Sequence, residues 1–204
     1  MFIFNEDRAM MEKLSGLVVG DVNAPDSGRP VEVKWLDSDT ELVNMTFPSI
    51  VICNTGLTFD AERAGAGWYQ LPYTPEGFPI WDNSTDVSTS PYFAQTPIPY
   101  NINYQIEVFS RNNKHATFLT GVLSGPDFLS TRFGYLTIPE DGTVRRLDLM
   151  SGPERLSIRD RDDKRLFQAI YNVQVSTELL PKEIEAYARV NNVVIDQYVM
   201  PPQV

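Results

Sequence analysis

The chain has 204 residues, enough for one domain with a sizeable core and an extension. Hydrophobic residues at 42% and charged residues at 22% exclude a disordered chain, and a net charge of −10 argues against a protein that grips phosphates, since those build basic patches. The first residues lack the basic lead and apolar core of a secretion signal, no apolar run reaches bilayer-spanning length, and the lone Cys53 allows no internal disulfide, so a soluble protein of a reducing compartment is expected.

Asn5 to Leu17 reads as a first helix, with Asn5 as cap, Glu6 and Asp7 at the positive end of the dipole, and an apolar stripe of Met10, Met11, Leu14 and Leu17. Gly20 to Pro30, rich in Gly, Asp, Asn and Pro, reads as a loop. Val31, Val33 and Trp35 alternate with Glu32 and Lys34, the pattern of a strand with one wet face. Ser49 to Asn54 is an unbroken apolar strand, expected in the middle of a sheet with Cys53 as a small buried hydrophobe. Asn44-Met-Thr46 and Asn83-Ser-Thr85 match glycosylation acceptors, and without a secretion signal they read as chance matches.

Gly65 to Pro99 differs in kind. It holds Trp68 and Trp81, many prolines and a polar run at Asn83–Ser90, and little of it follows either period. A connection this long is expected to be a partner-binding arm, and Trp68, Tyr69, Tyr73, Trp81, Tyr92 and Phe93 are its candidate contact residues. The same rings would also serve as a carbohydrate platform.

From Pro99 the signal is strong. Ile102, Tyr104, Ile106 and Val108 alternate with Asn103, Gln105 and Glu107, which predicts a half-buried strand. The period then changes: Ala116, Leu119 and Leu123 predict an amphipathic helix, capped by Asn112 or Asn113. Tyr135–Pro139 and Val144–Met150 flank the tight-turn pair Asp141-Gly142 and predict a hairpin. Arg155 to Arg165 is charged and reads as a loop, and Phe167 to Val175 is the cleanest strand. Val190 to Val199 is a further apolar stretch, with Val193, Ile195 and Tyr198 as candidate contacts to a neighbouring subunit. The fold class is thus α+β: a mixed, mostly antiparallel sheet with two helices on one face, over residues 1–180, with the 65–99 excursion and an extension at 181–204.

Candidate chemistry is thin. His115 is the only histidine, with neither a nucleophile nor an orienting partner evident around it. Asp160, Asp162 and Asp163 lack the glycine and terminal glutamate of a hand-type calcium loop and are interleaved with Arg159, Arg161, Lys164 and Arg165, so they read as a solvated hairpin or an inter-subunit charge strip. Gly65-Ala-Gly67 lacks the spacing of a phosphate-binding loop. No catalytic residue, cofactor or metal site is expected.

The order of segments carries a family resemblance. A short helix is followed by Arg29-Pro-Val-Glu-Val-Lys34, Phe47-Pro-Ser-Ile-Val-Ile52, Asp60-Ala-Glu-Arg63, Pro99-Tyr-Asn-Ile-Asn-Tyr-Gln-Ile106 with its helix, and the late strand Phe167–Val175. This resembles the tail terminator and head–tail joining proteins of long-tailed bacteriophages, in which a proline-led strand with a Tyr-Gln pair precedes a helix and a late strand closes a mixed sheet. The resemblance implies a non-enzymatic virion protein, made in the host bacterial cytoplasm, that forms a ring, usually a hexamer, around an axial channel, with Asp160, Asp162 and Asp163 as candidates for the channel lining or for an inter-subunit charge strip. Its implied partners are its own copies, the tail tube protein, a neck or head-completion protein, and genomic DNA passing without specific binding, with no membrane. The 65–99 excursion and the 181–204 extension depart from the compact family pattern. They leave open another neck or tail-completion protein, and the aromatic loop leaves open a carbohydrate- or receptor-binding module.

Overall fold

In the computed structural model the first helix, α1, is Phe4–Leu14, and it starts one residue earlier than the sequence suggests. Its N-cap is Ile3 and not Asn5, with no side-chain cap bond, while Ala9, Met10 and Leu14 form the buried stripe. The residues described are 3–21, 24–36, 45–65, 67–71, 91–131, 133–140, 142–159, 164–179 and 184–186. The chain divides into two compact units, Met1–Ala64 with Pro99–Leu179 and Gly65–Ile98 with Leu180–Val204.

The first unit is α+β. Strands β1 (Val18–Asp21) and β2 (Ala24–Pro30) pair as an antiparallel hairpin where a loop was expected. Its sequence offers few apolar positions to announce it: Val19 is buried in the main core, while Val18 is half exposed. The main sheet has six strands: β3 (Glu32–Trp35), β4 (Ser49–Phe59), β7 (Ile98–Ser110), β10 (Arg165–Leu179), β9 (Thr143–Arg159) and β8 (Tyr135–Ile138), in that spatial order. Strands β3 and β4 are parallel; β4 with β7, β10 with β9 and β8 with β9 are antiparallel. The expected loop at Arg155–Arg165 is instead mostly strand, because β9 continues through Arg159 and β10 begins at Arg165.

Helix α2 (Asn113–Leu123) follows β7 after a two-residue break, and of the two candidate caps it is Asn112 that serves, its Oδ1 accepting from the Lys114 N–H at 2.9 Å. Both helices cover one face of the sheet. Met10 and Leu14 of α1 and Leu119 and Leu123 of α2 share a core with Ile50, Ile52, Ile102, Tyr104, Ile106, Tyr171, Val173 and Val175. At roughly 1.5–3 kcal/mol for each fully buried aliphatic side chain, this layer is the chief source of the unit's stability. The opposite face carries a smaller cluster of Met45, Val51, Phe109 and Leu166 at one end. Cys53 is half-buried, less enclosed than expected.

The second unit is a three-stranded antiparallel sheet in which β6 (Tyr92–Gln95) lies between β5 (Trp68–Gln70) and β11 (Ile184–Ala186). The excursion and the beginning of the extension are therefore joined within one chain: Ile184 pairs with Ala94 and Ala186 with Tyr92.

Candidate functional site

The side of the main sheet away from the helices is polar and built from amides. Asn101, Asn103, Gln105 and Glu107 of β7 point opposite to Ile102, Tyr104 and Ile106, as strand alternation requires. They are cross-linked to β10: the Gln168 amide donates to Glu107 Oε2 at 2.9 Å, the Gln174 amide to Asn103 Oδ1 at 3.0 Å, and the Ser176 hydroxyl to Asn101 Oδ1 at 3.1 Å. Within β7 the Gln105 amide donates to Glu107 Oε1 at 2.6 Å. These partners are part-buried and mutually satisfied, which makes the face a wet, rigid surface and not a row of vacant ligands.

At one end this face deepens into an open cleft of about 640 Å³, whose lining includes Phe59, Asp60, Arg63, Asn101, Gln174 and Glu178. Arg63 is its hub. Its Nε donates to Asp60 Oδ2 at 2.7 Å, and its Nη2 reaches the Tyr100 carbonyl at 3.1 Å and Asn101 Oδ1 at 3.0 Å. The Arg63 guanidinium holds the Asp60 carboxyl below the usual carboxylate range. Charge here is balanced between neighbours, the pattern of a braced loop more than of a general acid or base.

Under α1 lies the unit's most unusual polar cluster. The Tyr104 hydroxyl donates to Asp7 Oδ1 at 2.7 Å, the Thr177 hydroxyl donates to the buried Glu6 carboxylate, and Arg145 Nε stands 4.0 Å from Glu6. Burial pushes the Asp7 carboxyl up, with the hydrogen bonds from Tyr104 and Asn54 pulling the other way. Burial and the bond to Asp7 push the Tyr104 phenol well above its ordinary value. Each group is spent on holding the helix to strands β7, β9 and β10, with no nucleophile beside it.

His115 contacts the Gly20 carbonyl through Nε2 at 3.1 Å and so ties α2 to the first hairpin. Among the described residues no group of His, Cys, Asp or Glu is arranged to hold a metal ion, and no helix is long and apolar enough to cross a membrane. Comparison with known families and with curated proteins finds no match. What this chain does must therefore be argued from its own surfaces.

Of the aromatic contact candidates, Trp68 and Tyr69 stand on β5 with 41% and 42% of their surface exposed, so both rings are open to a partner. Phe93 is half-buried on β6. Tyr92 is a correction: its ring is buried with Leu71 and Ala94 in the small sheet's own core. Tyr73, Trp81, Asp160, Asp162, Asp163, Val193, Ile195 and Tyr198 lie outside the described residues. The sequence missed the far half of β9, where Leu156 is 47% and Ile158 36% exposed beside Arg155 and Arg159. Its signal was present, since Leu156 and Ile158 alternate with Arg155, Ser157 and Arg159 at strand period.

Proposed function

We propose that this chain is a non-enzymatic, ring-forming structural subunit of a long-tailed phage virion, the tail terminator that joins the tail tube to the neck and lets DNA pass through its lumen. The observation that carries this reading is the setting of β7. A proline-led strand with the pair Tyr104-Gln105 is central in the sheet, leads into α2, and has the late strand β10 as its neighbour. That is the arrangement the family resemblance implies. The hydrogen bonds between Gln168 and Glu107, Gln174 and Asn103, and Ser176 and Asn101 brace this face, which suits a structural role.

On this reading the partners are further copies in a ring of six, the tube protein, a neck protein and passing DNA. The net charge of −10 suits transit without capture, since each Lys or Arg turned toward phosphate would add attraction and steepen the salt dependence. Native mass spectrometry of the protein, free and with tail tubes, tests the ring, and reconstruction of the virion tests its place at the head-proximal end of the tail. A neighbouring neck or tail-completion protein is separated from the terminator by that position. Isolated monomers on a fibre tip overturn the reading, as does strong DNA binding at physiological salt.

The exposure of Trp68 and Tyr69 favours a second reading, a carbohydrate- or receptor-binding surface. Trp68→Ala separates the two. Lost tail joining with an intact fold and no glycan retained on an array supports the assembly role, whereas glycan binding abolished by the substitution supports the other.

A further inference from the structure

The cleft at one end of the amide face is a recess that neither reading above employs. Its volume of about 640 Å³ falls within the range of small-ligand sites. The floor crosses two inner strands, with Asn101 on β7 and Gln174 and Ser176 on β10. An ion pair flanks it on each side. Arg63 meets Asp60 at 2.7 Å beside β7, and Arg146 meets Asp148 at 2.7 Å on β9, where Asp148 pairs in register with Gln174. Glu178 adds a carboxylate 3.9 Å from Arg63.

From this lining we infer that the cleft binds a short neutral saccharide through hydrogen bonds to its hydroxyls. The inference goes beyond both readings above, since it needs neither a ring of subunits nor the aromatic side chains of the small sheet.

The deep atoms are committed to one another and fix the shape. Asn101 Oδ1 accepts from Arg63 and Ser176, and its amide donates to Asp60. Arg63 is held to Asp60, to the Tyr100 carbonyl and to Asn101, so the recess is formed before a ligand arrives and little ordering is lost on binding. The groups left over are of both kinds. Gln174 donates its amide to Asn103 and has its carbonyl to offer, the Ser176 oxygen still accepts, and Arg146 binds Asp148 through Nε and has two terminal nitrogens to offer. A sugar hydroxyl both donates and accepts, so neighbouring hydroxyls can meet a carboxylate and a guanidinium standing side by side.

Other ligand classes fit this lining less well. Carboxylates and guanidiniums are mixed around it, so an ion of either sign meets repulsion as well as attraction. An apolar molecule would leave the amide and hydroxyl groups without partners. A peptide strand adds to a sheet edge, whereas β7 and β10 have neighbours on both sides. Val144, 63% exposed, lends hydrocarbon for the C–H face of a sugar ring.

Nuclear magnetic resonance of the isotope-labelled full chain, titrated with cellobiose, maltose, lactose and diacetylchitobiose, tests the site. At least one of them should shift the side-chain amide signals of Gln174 and Asn101. Arg146 has a side chain 74% exposed, so Arg146→Ala should keep the circular dichroism of the parent, and it should weaken that saccharide about tenfold. Asp148→Asn keeps the shape, removes the charged acceptor and should weaken it severalfold. A parent unmoved by every member of the panel overturns the inference and leaves the ring reading standing. Affinity unchanged in both variants overturns it too, as does tighter binding of sulfated or sialylated sugars than of neutral ones. A saccharide lost with Trp68→Ala and kept with Arg146→Ala belongs to the small sheet, which supports the second reading and overturns this one.

Discussion

The two faces of the six-stranded sheet are made by the same strands and obey different rules. On the helix-covered face Ile102, Tyr104 and Ile106 sit within a core shared by two helices, and each is stabilised mainly by leaving water. One residue along, Asn101, Asn103 and Glu107 hold the same strand to β10 through side-chain hydrogen bonds that water could replace, and Gln105 braces Glu107 within the strand. The difference teaches that one face sets stability while the other sets shape and surface chemistry. Substitutions on the two should therefore separate by size.

The largest loss is expected from Ile106→Ala, a fully buried side chain under both helices, at about 3 kcal/mol in urea unfolding. Next comes Tyr104→Phe, which keeps the ring packed but removes the donor to Asp7, at about 1–2 kcal/mol. Gln174→Ala on the open face breaks the amide bond to Asn103 where water can substitute, and should cost about 0.5–1 kcal/mol. A Gln174→Ala loss as large as that of Ile106→Ala would erase the distinction between the faces.

Two carboxyl groups give the smallest effects, of opposite sign in pH. Asp7 is pushed up, so the folded state keeps its proton above the unfolded value and this group's contribution weakens as pH rises from about 4. Asp7→Asn should accordingly gain on the parent as pH rises through that range. Asp60 is held down by Arg63, so its contribution is present above the unfolded value and fades as pH falls through the folded one. Asp60→Asn should flatten stability only on that acid limb, and unfolding midpoints measured from pH 3 to 7 check both.

What was legible in the sequence was whatever depends on neighbours along the chain. The alternation from Ile102 to Val108 and the Asn112 cap announced β7 and α2, because alternation and capping are local. Helix α1 was legible too, but Glu6 and Asp7 were read as dipole partners when their main bonds run to Thr177 and Tyr104, far away in sequence. The first hairpin was hidden because Asp, Gly and Pro carry little strand signal. The far end of β9 was hidden because its charges suggested a loop, although an edge strand is where charged residues belong. The aromatic candidates were found as a group, yet only contacts across the small sheet could sort buried Tyr92 from exposed Trp68 and Tyr69.

Strand β4 contains a change of phase. Before Asn54 its even-numbered residues Ile50 and Ile52 face the helices; after the irregularity between Asn54 and Gly56, the odd-numbered Leu57 and Phe59 take that side, opposite Ile102 and Tyr100. Asn54 Oδ1 accepts from the Gly56 N–H at 3.0 Å, and Gly56 has a φ of +142°, a setting that favours glycine. The strand thus reads in two frames, like a sentence resumed after a dropped letter. Removing the single residue Thr55 would take out the extra residue, so that alternation runs straight from Asn54 through Gly56, and Leu57 and Phe59 stay opposite Ile102 and Tyr100. The pairing therefore absorbs Thr55 as a spacer, and its loss should cost the local bend and twist of the strand while leaving the register of its outer third in place.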